Sequence, residues 1–444
     1  MMEAEELRQA VTQIVQEAIA SVNPGVCVKR VLAKAGEQVR VGARGFPARR
    51  VVVVGCGKAA GTMARAIEAV LGERVEAGLV VTADGYGVEC ERIEVVEASH
   101  PVPDSRGVEA AHRIAALVDA AEEGDLVLVV ISGGGSALLT LPADGLTLDH
   151  LRETNELLLR SGAPIQAVNA VRKHLDQLKG GQLARRAAPA QVVSLILSDV
   201  PGDPLHVIAS GPTVPDPTTF LDAHRVLQNY RLWEIVPEAV RVRIAQGLAG
   251  EAPETPKPGD PLFHTVHNAI VGSGVTAAEA ALKAGERSGF TGLILTTELC
   301  GEAREVGQVV ASLAREVVRR ERPVPRPGLL IFAGETTVTV TGSGRGGRNQ
   351  EAALAAALGI AEFKDVVVCF VGTDGRDGPT DAAGGLVDGG SMGRMVAGGV
   401  DPRAALLNND AYAALSASGD LVITGPTGTN VADLCLVAVG ARSP

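Results

Sequence analysis

The run Val51-Val-Val-Val-Gly-Cys-Gly-Lys-Ala-Ala-Gly61 sets the fold class. Four consecutive valines read as a short strand buried on both faces, the pattern of a parallel sheet covered by helices on each side. The turn Gly55-Cys-Gly57-Lys58 then opens a helix whose Met63, Ile67, Val70 and Leu71 form an apolar stripe at i, i+4, i+7, i+8 spacing. Working outward, strands at 78–82, 125–131 and 192–198 alternate with helices at 108–120, 148–160 and 165–179, after a first helix at 5–21. Residues 253–261 hold four prolines in nine positions, which no helix or central strand accepts. Beyond them the rhythm restarts: strand 267–271, Gly272-Ser-Gly274, helix 275–287, strand 293–297 and helix 302–320. The expected class is α/β, with two Rossmann-like doubly wound domains, residues 1–250 and 262–444, and a cleft between them. The apolar run 421–440 is expected to pack on either domain.

The chain has 444 residues, 46% of them hydrophobic, and a net charge of −11, enough for two cores and unsuited to nucleic acid or anionic membrane as a partner. Six cysteines show no C-x-x-C pair and no zinc spacing, as expected of free thiols in a reducing compartment. The acidic start Met-Met-Glu-Ala-Glu-Glu lacks the basic and apolar regions of a secretory signal, and no stretch approaches the roughly 20 apolar residues of a membrane span. A cytoplasmic protein is expected, with a homodimer an open option.

Candidate chemistry lies on loops. Thr341-Gly-Ser-Gly-Arg-Gly-Gly-Arg-Asn-Gln350 joins a β-like run at 337–341 to an alanine-rich helix from about Glu351. Glycine backbone, a helix start, Arg345, Arg348 and Asn349 together suit a polyanion, phosphate first. Lys58, one of eight lysines, stands at another helix start beside Gly55 and Gly57. Ser132-Gly133-Gly134-Gly135-Ser136 follows an apolar strand and forms a backbone cradle for phosphate oxygens. Asn169, Arg172 and Lys173 share a helix face at i, i+3, i+4, either a solvated basic face or part of a binding site. Asp199, Glu335 and the trio Asp374, Asp377 and Asp381 follow strands, and such hard oxygen donors suit Mg²⁺ beside nucleotide phosphates. His100, before Pro101, is either an acid–base group or a structural histidine. Gly55-x-Gly57-x-x-x-Gly61 is one residue out of step with a dinucleotide fingerprint, and Asp84 lies in a turn rather than at a ribose-binding strand end. A Walker A loop is absent.

Ile131-Ser-Gly-Gly-Gly-Ser-Ala137, Val168-Asn-Ala-Val-Arg-Lys-His174, Lys179-Gly-Gly181, Leu197-Ser-Asp-Val-Pro-Gly-Asp203, Ser210-Gly-Pro-Thr213, Gly346-Gly-Arg-Asn-Gln-Glu351 and Thr373-Asp-Gly-Arg-Asp-Gly-Pro-Thr-Asp-Ala-Ala383 occur in that order. Together they resemble the signatures of class II glycerate 2-kinases, which pair a glycerate-kinase domain with a MOFRL domain. The resemblance implies transfer of the ATP γ-phosphoryl group to the 2-hydroxyl of D-glycerate, with Mg²⁺ required. It places the family's catalytic lysine on Lys58 and its catalytic arginine on Arg348. Ser132 to Ser136 carry over as nucleotide-binding positions with Gly55, Gly57, Arg345 and Asn349. Arg172, Lys173 and Asp199 are expected to bind glycerate, and Asp199, Glu335 and Asp374 the metal. The competing reading is an NAD(P)H-dependent hydroxypyruvate reductase.

Overall fold

The computed structural model describes residues 4–442; the first three residues of the acidic start lie outside them. Two compact units form. One comprises residues 24–198 and 203–271; the other takes residues up to 23, 199–202 and everything from 272 onward.

The first unit begins with a small antiparallel sheet, β1 (Leu32–Ala35), β2 (Gln38–Val41) and β3 (Arg44–Pro47). Its main sheet contains β4 (Val51–Cys56), β5 (Val75–Ala83), β6 (Ile93–Ala98), β7 (Leu126–Ile131), β8 (Gln191–Leu197) and β9 (Val266–Gly272) in the order β6-β5-β4-β7-β8-β9. Strands β6, β5, β4, β7 and β8 pair in parallel throughout. Every residue of β4 and β7 is buried, because each strand has a helix layer on both faces and so carries apolar side chains at every position. The strand order reverses between β4 and β7, and in doubly wound sheets ligands bind outside the carboxyl ends of strands at such a reversal.

The unit boundary does not follow the proline-rich stretch. β9 lies beyond the prolines yet extends the first sheet, so the strand expected to open the second domain completes the first. The helix expected over 165–179 stops at His174. There the Asp176 carboxylate takes the N–H groups of Leu141, Leu178 and Lys179, and these bonds replace the next helical turn.

The second unit is α/β with a mixed sheet: β10 (Thr291–Leu299), β11 (Gly328–Gly334), β12 (Val366–Gly372), β13 (Gly384–Asp388), β14 (Leu421–Val422) and β15 (Asp433–Val439), ordered β10-β11-β15-β12-β13-β14. β10 and β11 are parallel, whereas β15 runs antiparallel to both β11 and β12. The late apolar run is thus a central strand of this unit. Helix Ala4–Ser21 belongs here too, with Leu7, Val11, Ile14, Val15 and Ala18 buried and Arg8 bonded to Asp388 at 2.6 Å. The β-like run 337–341 is not a strand. Only Thr337 forms a bridge, to Glu302, while the Glu302 carboxylate takes the Thr339 N–H and Asn409 Oδ1 takes those of Thr341 and Gly342.

Candidate active site

In the first unit, the turn after β4 and the turn after β7 lock together. The Lys58 N–H donates to the Gly133 carbonyl (2.9 Å) and the Ala59 N–H to Ser132 Oγ (3.0 Å). Gly57 sits at φ 125°, and a Cβ there would lie 2.2 Å from Ser132 Oγ, so only glycine allows the two turns to approach this closely. Gly134 is left-handed (φ 85°), and a Cβ on it would meet the His100 ring at 3.0 Å and Lys58 Cγ at 3.6 Å. Lys58 and His100 therefore flank the same point of the Ser132–Ser136 turn. Among the described residues, Lys58 Nζ has no ion-pair partner, and the N–H groups of Gly133, Gly134 and Ser136 have no acceptor. A cation and several amides thus surround a space that suits an anion.

Ser136 Oγ lies 2.9 Å from Ser210 Oγ, and the Ser210 hydroxyl donates to Asn169 Oδ1 at 3.0 Å. Ser136 also borders a small cavity lined by Thr140, Thr154, Asn155, Arg172 and Lys179. Arg172 donates to Asn155 Oδ1 (2.8 Å), and burial pulls its pKa below the usual arginine value, a drive to find an anion. Lys173 is different. It is 2% exposed and bonded to buried Asp216 at 3.1 Å, which Thr218 and Thr255 also satisfy. Its charge is spent on that pair inside the core, and it does not line the cavity that Arg172 borders, so it is not available to a substrate. His174 is likewise buried, between the Ala170 carbonyl and Glu254.

In the second unit, Arg348 is the first residue of helix Arg348–Ile360. Its guanidinium grips Asp433 with two bonds (2.6 and 3.0 Å) and pairs with Glu335 at 2.8 Å. Glu335 follows β11, Asp374 follows β12, and Asp199 is held in this unit by the Asn430 amide (3.3 Å). Burial raises the Glu335 carboxyl pKa, and repulsion from Asp433, Asp199 and Asp374 adds to it against the pull of Arg348. The carboxylates therefore outnumber the cation that serves them, and their hard oxygens suit a divalent ion. Among the described residues, no three His, Cys, Asp or Glu side chains are arranged to hold a metal by themselves.

The helix start itself is already filled. Asp377 accepts from the backbone N–H groups of Asn349 (3.1 Å) and Gln350 (2.8 Å), and from the Gln350 side chain. A built-in carboxylate thus occupies the place where a phosphate was expected, and Asn349, 1% exposed, faces that carboxylate rather than solvent. Arg345 donates to the Pro379 carbonyl and stacks on Tyr412, whose hydroxyl donates to Asp381. The anion-binding part of this loop reduces to Arg348.

Asp433, the residue that fixes Arg348, was not found from sequence. It opens an apolar strand just as Asp125 does, and residue order alone does not distinguish a strand-capping acid from an arginine anchor. Asp84 is bound to Arg106 at 2.7 Å, not presented to a ribose.

An α/β protein with a lysine turn at a sheet reversal, followed by an arginine–carboxylate cluster in a second unit, is a phosphate-handling architecture. The first unit matches the model of a domain of unknown function, DUF4147, over residues 10–245, and the second matches the MOFRL family over 328–433. The chain is 44% identical over 443 residues to "Glycerate 2-kinase" of Pyrococcus horikoshii, covering 99% of each protein. It superimposes on the crystal structure of a glycerate kinase from Thermotoga maritima with a TM-score of 0.88 at 43% identity, covering 98% of this chain and 100% of that one. A relative from Agrobacterium vitis, 43% identical over 98% of this chain and 94% of its own, carries a provisional hydroxypyruvate reductase name. The chain belongs to the glycerate 2-kinase family.

Proposed function

We propose that this chain is an ATP-dependent kinase that phosphorylates the 2-hydroxyl of D-glycerate, giving 2-phosphoglycerate and ADP. The observation that carries this reading is Lys58, a cation without a counter-ion among the described residues, beside a turn with open amides at the strand-order reversal. Phosphoryl transfer requires positioning and charge neutralisation more than covalent chemistry. Lys58 and the Ser132–Ser136 turn hold phosphate oxygens, and Arg348 neutralises charge on the transferred group. Arg172, beside the Ser136 cavity, takes the glycerate carboxylate.

One or two of Asp199, Glu335 and Asp374 would hold Mg²⁺, with waters and phosphate oxygens completing its shell. That ion would neutralise β- and γ-phosphate oxygens when bound. A hydride-transfer role is disfavoured, since the N–H groups that a dinucleotide pyrophosphate would use at Lys58 and Ala59 are taken by the Ser132 turn. No described helix is long and apolar enough to cross a membrane, and all six cysteines are free thiols, which favours a cytoplasmic location. The test is incubation with Mg-ATP and D-glycerate, with ADP read by coupled assay and the phosphate position by NMR. Consumption of NADH on adding hydroxypyruvate, with no ADP formed from glycerate, would reverse the assignment.

A further inference from the structure

The imidazole of His100 has no role in the scheme above, yet it lies in the lysine turn. It lies two residues past the end of β6, at the same carboxyl edge of the parallel sheet as the turns after β4 and β7. Its Cδ2–Nε2 edge is 3.0 Å from the point where a Gly134 side chain would start, and Lys58 Cγ is 3.6 Å from that same point. Among the described residues, neither ring nitrogen has a hydrogen-bond partner. Buried histidines usually find one: His174 in this same unit uses both nitrogens. A half-buried ring whose nitrogens the protein does not occupy, edge-on to the turn proposed to receive phosphate, is placed for a ligand.

From this geometry we infer that His100 is the general base for the acceptor, taking the proton of the glycerate 2-hydroxyl as that oxygen attacks. This rests on the kinase reading. The step balances: the hydroxyl O–H electrons form the new O–P bond as the proton moves to a ring nitrogen. The bond from the γ-phosphorus to the bridging oxygen breaks, its electron pair leaving on ADP, and the imidazolium later releases its proton to water. Burial, and secondarily the Lys58 ammonium, lowers the imidazole pKa below its ordinary 6.5, so the ring is neutral and able to accept a proton at pH 7. Among the described residues, the ammonium is the charged group that acts on it, and no carboxylate does.

The test uses the full chain and two substitutions, His100→Gln and His100→Asn. Wild type must first make ADP with D-glycerate; if it does not, the kinase reading fails and not the base assignment. Given activity, kcat is expected to fall about 10²-fold in both variants, within the usual range for general-base removal, with KM for ATP little changed. The acid limb of the wild-type pH profile, expected below pH 6.5, disappears in the variants. Added imidazole restores part of kcat to the smaller-side-chain variant, His100→Asn. Thermal melts of both proteins separate loss of chemistry from loss of fold. If neither variant folds, the wild-type profile decides: rate independent of pH between 5 and 8 overturns the proposal. It is also overturned if a folded variant keeps kcat within about threefold of wild type, or keeps the acid limb.

Discussion

Lys58 and Arg348 each stand where a glycine turn meets a helix, but their surroundings are opposite. Lys58 has no counter-ion among the described residues, and Arg348 is gripped by Asp433 and paired with Glu335, with Asp199 and Asp374 close enough to affect that cluster. A cation left unpaired beside open amides adds nothing to folding, and its charge is fully available to an anion. A cation fixed by a buried carboxylate is aimed more accurately, and its removal disturbs the fold as well. Function and stability are thus separable in the first unit and joined in the second.

The largest expected effect comes from Arg348→Ala. Turnover with Mg-ATP and D-glycerate should fall by about 10³–10⁵, the range for arginines that stabilise the transferring phosphoryl group. The same change leaves buried Asp433 without its partner, so a urea titration should show a loss of about 1–3 kcal/mol as well. Unchanged stability would mean that the arginine is not anchored as described.

Lys173→Ala tests a third cation, one whose charge is entirely structural. Breaking its buried pair with Asp216 should cost about 3–5 kcal/mol, while kcat and KM per folded molecule stay near wild type. A rise in KM for glycerate without loss of stability would return Lys173 to the substrate.

Lys58→Ala should do the reverse. A fall in kcat of about 10²–10³ is expected for loss of one fixed electrostatic contact. The melting curve should move by no more than about 0.5 kcal/mol, because the ammonium has no partner to lose.

The smallest effect is a pH slope. Burial raises Asp377 from its ordinary 3.8 to about 6, against the hydrogen bonds from Asn349 and Gln350. The folded chain therefore holds this proton more tightly than the unfolded one. The resulting stability is fullest below about pH 4 and is lost as pH rises to about 6. Denaturant midpoints across pH 4–7 should show that decline in wild type and a flatter course in Asp377→Asn.

The first unit could be read closely from sequence because local patterns decide it. Val51–Val54 and 125–131 are apolar at every position, and the glycine turns after them fall where strands end. The second unit was less accessible. An apolar strand such as 433–439 reads the same whether it lies at an edge or in the centre, and parallel or antiparallel. Arg348 was identified by its motif, but its anchor lies 85 residues away and nothing in the intervening order links the two. For Lys173, helical spacing could not reveal the partner, Asp216, which is 43 residues on. The helix start at Arg348 looked open to phosphate because Asp377, its actual occupant, comes from a distant loop.

The central position of β15 has a consequence for biosynthesis. As the chain leaves the ribosome, residues 24–271 carry the whole of the first unit, with 199–202 of the second unit among them, so the first unit can assemble early. Helix Ala4–Ser21 is made before the first unit, but the sheet of its own unit lacks a middle strand until residues 433–439 appear. A premature stop before residue 433 would therefore leave β11 and β12 without the strand that joins them.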